Sequence, residues 1–262
     1  METRLEGRIV LVTGATQGIG RAIALAAADA HAEGVFITSR EAGHGDAVVA
    51  ELVAAGASAA FVAAELSEPG APDIIFDAAL ARFGRVDALV NAAGLTDRAS
   101  VAEASLAVWE TLYAVNARAP TFLMQRLINH LRARRAPGAI VNILSVNMHG
   151  GTPSLAIYAS TKAALGLITR NAAHAHRFDR IRINGVNLGW ADTPGERRMQ
   201  AETLGLGPGW LAAANAAQPF GRLLVPDDVA RLALFLLSDA SSPMTGALID
   251  QEQNVIGVRD DA

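Results

Sequence analysis

Tyr158 and Lys162, four residues apart in Tyr158-Ala159-Ser160-Thr161-Lys162, are the two side chains whose types and spacing first suggest chemistry. On a helix, residues at i and i+4 stack on one face, so a phenol and an ammonium there can reach the same ligand. Of the chain's 22 lysine and arginine side chains, Lys162 is the only lysine. A compact ammonium and a planar guanidinium fork are not interchangeable where a point charge is needed. A single lysine must fall somewhere, however, so the pair decides nothing until the elements around it are read.

Those elements alternate. Short β-branched runs at Arg8–Val12, Val35–Thr38, Ala59–Val62, Ala88–Val90, Ala139–Ile143, Arg182–Val186 and Ala247–Asp250 read as strands. Helical patterns fill the gaps at Gly20–Ala30, Ala42–Ala55, Ala71–Phe83, Leu106–Arg134, Ile157–Arg177 and Asp227–Leu237. Continuous apolar strands separated by helices predict a doubly wound α/β fold of three layers, a parallel sheet covered on both faces. No linker or repeat divides residues 1–262, which read as one domain. One stretch, about 189–221, breaks the alternation with Gly, Pro, Trp and Met (Trp190, Pro194, Met199, Trp210), as a substrate lid or an interface would.

Composition narrows the classes. At 51% hydrophobic and 18% charged the chain suits a buried core, and its net charge of −4 gives no hint of nucleic acid. The absence of cysteine removes disulfides, thiolate catalysis and cysteine-held metal. Charged Glu2, Arg4, Glu6 and Arg8 lead directly into the first strand, leaving no room for a signal peptide. No apolar run approaches the roughly 18 residues that span a bilayer. A cytoplasmic, soluble protein is expected.

After the first strand comes Thr13-Gly14-Ala15-Thr16-Gln17-Gly18-Ile19-Gly20 and then a helix. Glycines in such a turn let backbone N–H groups approach a pyrophosphate at a helix N-terminus. The Gly-x3-Gly-x-Gly spacing resembles the short-chain dehydrogenase/reductase family. Asn91-Ala92-Ala93-Gly94, Asn116 after a valine, Ser145 at 13 residues before Tyr158, Pro219-Phe220-Gly221-Arg222 and Met244-Thr245-Gly246 extend the resemblance along the chain. It implies a Rossmann fold, a homotetramer, and reversible hydride transfer between a nicotinamide and an alcohol or carbonyl carbon. It makes Tyr158 the acid/base, with Lys162 lowering its pKa and holding the ribose hydroxyls. Ser145 would polarise the substrate oxygen, and Asn116 would hold a relay water. Thr13, Gly14, Gln17, Gly18, Ile19, Gly20, Asn91, Ala92 and Gly94 would line the cofactor. Glu65-Leu66 would sit at the adenine, and Gly189 and Thr193 at the carboxamide.

The second strand ends in Ser39-Arg40 with no carboxylate. An acidic residue there holds the ribose 2′-OH of NAD, whereas arginine accommodates a 2′-phosphate, so NADP is expected and NAD is the alternative. Two family positions differ: Leu188 stands for proline before Gly189, and Asp250-Gln251-Glu252 replaces Asp-Gly-Gly. Loop residues Asn147, His149 and Trp190 join Ser145 and Tyr158 as substrate-facing candidates, a mix that suits a sugar or polyol. The alternatives are a 3-oxoacyl thioester reductase and, from another class, a nucleotide-binding scaffold without turnover. No metal is expected.

Overall fold

The computed structural model describes residues 3–258. Seven strands form one parallel sheet: β1 (Ile9–Thr13), β2 (Gly34–Ser39), β3 (Ser58–Ala63), β4 (Ala88–Asn91), β5 (Gly138–Ile143), β6 (Ile181–Leu188) and β7 (Leu248–Gln251). Their order is β3-β2-β1-β4-β5-β6-β7. The central strands read as unbroken apolar runs because both faces are covered. Alternate residues of β1 serve the two faces. Val10 and Val12 pack with Ile23, Leu52 and Leu236, while Leu11 packs with Phe36, Phe76, Leu123 and Leu165.

The first of these cores is closed by α1 (Gly18–Asp29), α2 (Ala42–Ala54) and α9 (Pro226–Leu237). The second is closed by α3 (Ala71–Phe83), α5 (Ala119–Arg134) and α6 (Ala156–Ala175). Strand order reverses between β1 and β4, the point at which a doubly wound sheet opens a crevice beyond its carboxyl edge.

The helix expected over Leu106–Arg134 is interrupted. It comprises α4 (Leu106–Tyr113), a π turn at Ala114–Arg118, and then α5. Pro120 supplies the reason: with no N–H it cannot donate to the carbonyl of Asn116 four residues earlier, and its ring crowds that carbonyl. The wider turn follows.

The stretch after β6 leaves the sheet and returns at α9. It contains α7 (Pro194–Arg198), a π turn (Met199–Thr203) and α8 (Trp210–Ala216). Its two ends are tied together at the base. Leu224 donates to the Trp190 carbonyl at 3.0 Å and accepts from the Asp192 N–H at 2.8 Å. Trp210, Ala214 and Leu223 give it a small apolar cluster of its own. Lacking proline, β6 runs as strand through Leu188, opposite Gln251. No helix among the described residues is long and apolar enough to cross a membrane.

Candidate active site

A cleft of about 1080 Å³ lies over the switch point. At its floor the glycine turn is locked by close approach. Gly14 has φ +66°, and a Cβ on it would come within 2.7 Å of the Ala93 backbone. A Cβ on Gly20 would collide with the carbonyl of Gly14. The turn delivers the N-terminus of α1, with no acidic residue in the first helical turn, to the cleft. Free N–H groups there favour an anion such as a pyrophosphate.

At one end of the cleft, β2 presents Thr38, Ser39 and Arg40. The hydroxyls of Thr38 and Ser39 are buried and have no hydrogen-bond partner within the protein. A buried hydroxyl without a partner is costly, and a bound polar group removes that cost. The Arg40 Nε lies 4.0 Å from the Glu65 Oε2, and the Glu65 Oε1 accepts the Ser67 N–H at 3.1 Å. Arg40 is mostly exposed, free to fork onto a phosphate. These groups, with the glycine cradle, fit a dinucleotide bearing a 2′-phosphate.

The opposite end carries the reactive side chains. Ser145 follows β5, and its Oγ accepts from the Asn147 N–H at 3.2 Å and the Asn147 Nδ2 at 3.3 Å. Tyr158 occupies the first turn of α6, with Lys162 one turn on; they are 8% and 4% exposed. The Lys162 Nζ donates to the Ile143 carbonyl at 2.9 Å, tying α6 to the end of β5. Burial lowers the pKa of this ammonium from 10.5 to about 8. Burial raises that of Tyr158, against the downward pull of the nearby Ser145 hydroxyl, and the negative charge of Glu196 raises it further. The net direction is therefore upward, opposite to the lowering expected from the Tyr-Lys pair. The ammonium points to a carbonyl, 5.8 Å from the phenol ring centroid, and desolvation of the phenol dominates.

Comparison with known proteins follows the same lines. A family profile described as enoyl-(acyl carrier protein) reductase matches residues 14–251. The chain is 34% identical over 249 residues to 3beta-hydroxysteroid dehydrogenase 1 of Eggerthella lenta, covering 94% of this chain and 92% of that protein. It belongs to the short-chain dehydrogenase/reductase family. As a member it is an oxidoreductase of hydroxyl and carbonyl groups. Among solved structures it is similar to the L-sorbose reductase of Gluconobacter frateurii, complexed with NADPH and L-sorbose. That likeness has TM-score 0.91 and 26% identity, over 99% of this chain and 100% of that one. It is also similar to a 3-oxoacyl (acyl-carrier-protein) reductase of Agrobacterium tumefaciens with NADP bound. There the TM-score is 0.85 and the identity 31%, over 95% and 94% of the two chains.

Within this short-chain dehydrogenase/reductase, the cleft brings together Gly14, Gln17, Gly18, Ile19, Gly20, Ser39, Arg40, Glu65, Leu66, Ala92, Gly94, Ser145, Asn147, Tyr158, Lys162, Gly189, Trp190 and Thr193. Four expected residues do not line it. The Thr13 hydroxyl accepts from the N–H groups of Ala92 and Ala93 at 3.1 and 3.2 Å, and so shapes the cleft wall from behind. Asn91 faces the core and donates to the Asn142 Oδ1 at 2.8 Å. Asn116 is fully buried and bonded to Leu95. His149, expected at the substrate, instead pairs with Asp250 at 3.0 Å across the sheet edge.

Two cleft carboxylates escaped the sequence reading. Thr193 caps α7 by accepting the Glu196 N–H at 3.1 Å, and the Glu196 Oε1 accepts from the Trp190 Nε1 at 2.7 Å. The Thr-x-x-Glu spacing is a helix-start signature. It marks α7 without revealing that Glu196 faces a site. Glu252 stood out only as a departure from the family pattern, and nothing local indicated its direction.

Proposed function

We propose that this short-chain dehydrogenase/reductase moves a hydride between NADP(H) and a small polar alcohol or carbonyl compound, such as a sugar or polyol. The observation that carries the reading is the buried Tyr158–Lys162 pair, one helical turn apart, lining the same cleft as Ser145. The bound nicotinamide would supply or accept the hydride. Tyr158 gives a proton to the substrate oxygen in reduction and takes it back in oxidation. Its raised pKa suits the donor role, because the phenol stays protonated at neutral pH. Ser145, oriented by Asn147, donates to the same oxygen and stabilises charge developing there. Lys162 holds the ribose hydroxyls, and Asn116, outside the cleft with its amide bonded to Leu95 and Thr161, braces the site instead of holding the expected relay water. Ser39 and Arg40 select the 2′-phosphate.

The similarity to an L-sorbose reductase over nearly the full length supports a polyhydroxylated substrate. Trp190, stacked on Trp210 at 6.1 Å, offers an apolar face to sugar CH groups from within the segment at about 189–221, which we read as the lid of a single domain. A 3-oxoacyl thioester is the second reading: Arg98 and Arg198 line the cleft as cations for its phosphates, and the cleft carboxylates Glu196 and Glu252 weigh against it. Exposed Leu106, Trp109 and Phe122 on α4 and α5 support self-association, read as a homotetramer in the cytoplasm. The test is cofactor-dependent turnover across sugars, polyols and ketones with NADP and NAD. The reading predicts higher kcat/KM with NADP and with a polyol or its ketone; equal or better kcat/KM with NAD would refute the cofactor assignment.

A further inference from the structure

We propose that Glu252 makes the site bind the oxidised nicotinamide more tightly than the reduced one. The inference rests on the hydride-transfer reading of the cleft and concerns a residue with no assigned part in it.

Glu252 follows β7 and lines the cleft. Its Oε1 accepts from the N–H groups of Gln253 and Asn254 at 2.5 and 3.3 Å, and from the Asn254 Nδ2 at 3.4 Å. These donors fix the direction of the carboxylate. Its Oε2 is aimed at Gly189: a Cβ built on Gly189 would collide with it. The glycine and the carboxylate therefore occupy matched positions at the end of the cleft that holds Ser145 and Tyr158.

No cation forms a salt bridge with Glu252 among the described residues. The other cleft cations face elsewhere: Arg98 donates to Ser154, Arg198 to Gln17 and Lys162 to the Ile143 carbonyl, while Arg40 sits at the far, β2 end. Glu196, a few residues after Gly189, is held by Trp190 and Gln200 and likewise has no cationic partner among the described residues. Its field reaches Tyr158, whose proton it helps to retain. The reacting end thus sets two carboxylates, Glu196 and Glu252, against the single ammonium of Lys162.

A nicotinamide ring carries a positive charge when oxidised and none when reduced. A fixed carboxylate nearby interacts with one redox state and not the other, by a factor of roughly ten at the distances of a protein cleft. Preferential binding of the oxidised form pulls the bound equilibrium toward oxidised cofactor and alcohol, the direction of carbonyl reduction.

Equilibrium titration of NADP+ and of NADPH, by calorimetry, tests this on wild-type protein, Glu252→Gln and Glu252→Asp. The amide of Glu252→Gln retains an oxygen that can accept from Gln253 and Asn254, so the loop is preserved. The expected result is an approximately tenfold rise in Kd for NADP+ in Glu252→Gln, with Kd for NADPH within about twofold. Glu252→Asp should hold the wild-type ratio more closely. Equal changes for both cofactor forms, or no change for either, would overturn the inference and leave the hydride-transfer reading standing. Failure of wild-type protein to bind either form would overturn both.

Discussion

The side-chain amide of Asn116 brackets the peptide of Leu95, donating to its carbonyl and accepting from its N–H, both at 2.9 Å. The same Nδ2 also donates to the Thr161 hydroxyl at 3.1 Å, next to Lys162. One buried amide thus joins the π turn, the loop after β4 and the helix bearing the reactive pair.

Asn116→Ala should leave the Leu95 peptide groups without partners inside the protein. We expect a loss of about 2–3 kcal/mol of stability, read by urea denaturation, with a drop in turnover. Asn116→Asp keeps an acceptor but no donor and should recover little. A stable, fully active Asn116→Ala protein would show that the bracket does not position the site.

Lys162 carries a stability cost. Its folded pKa of about 8 lies below the ordinary 10.5, so its charged form is disfavoured in the fold. The cost is full below pH about 8, declines as pH rises toward about 10.5, and is absent above; at about 1.4 kcal/mol per pKa unit it is on the order of 3 kcal/mol. Lys162→Met should therefore stabilise the protein by about 1–2 kcal/mol near neutrality, after loss of the Ile143 hydrogen bond, while abolishing activity. Denaturation at neutral and alkaline pH should show that advantage shrinking. Lys162→Arg keeps a charge but loses the compact ammonium, and most of the activity should go with it.

Arg40→Ala should raise Kd for NADPH by about 10–100-fold and leave NADH nearly unchanged, since only the former offers a 2′-phosphate. Fluorescence titration of both cofactors is the measurement. An equal effect on both would make Arg40 a general contact.

His149→Ala should alter KM by less than about threefold and stability by less than about 1 kcal/mol, because its pairing with Asp250 is partly exposed and lies outside the cleft. Steady-state kinetics decide it. A tenfold rise in KM would return His149 to the substrate.

The sheet was legible in the sequence because its strands carry unbroken apolar runs, and β1 with its glycine turn announced the cofactor crevice. The reactive pair was legible because i and i+4 share a helix face whatever surrounds them. The π turn was missed although Pro120 marks it, since periodicity alone reads Leu106–Arg134 as one helix. His149 and Glu252 were misread or missed for a common reason. Their directions are set by partners distant in sequence or by loop backbone, Asp250 for His149 and the N–H groups of Gln253 and Asn254 for Glu252.

The central claim is that the Tyr158 hydroxyl moves the substrate proton. Tyr158→Phe removes that single oxygen from a buried ring and keeps the packing. The direct measurement pairs steady-state oxidation of NADPH by a competent ketone with calorimetric binding of NADPH. The account predicts a fall in kcat of at least about a thousandfold with Kd within about threefold of wild type. A Tyr158→Phe protein with wild-type kcat would contradict it.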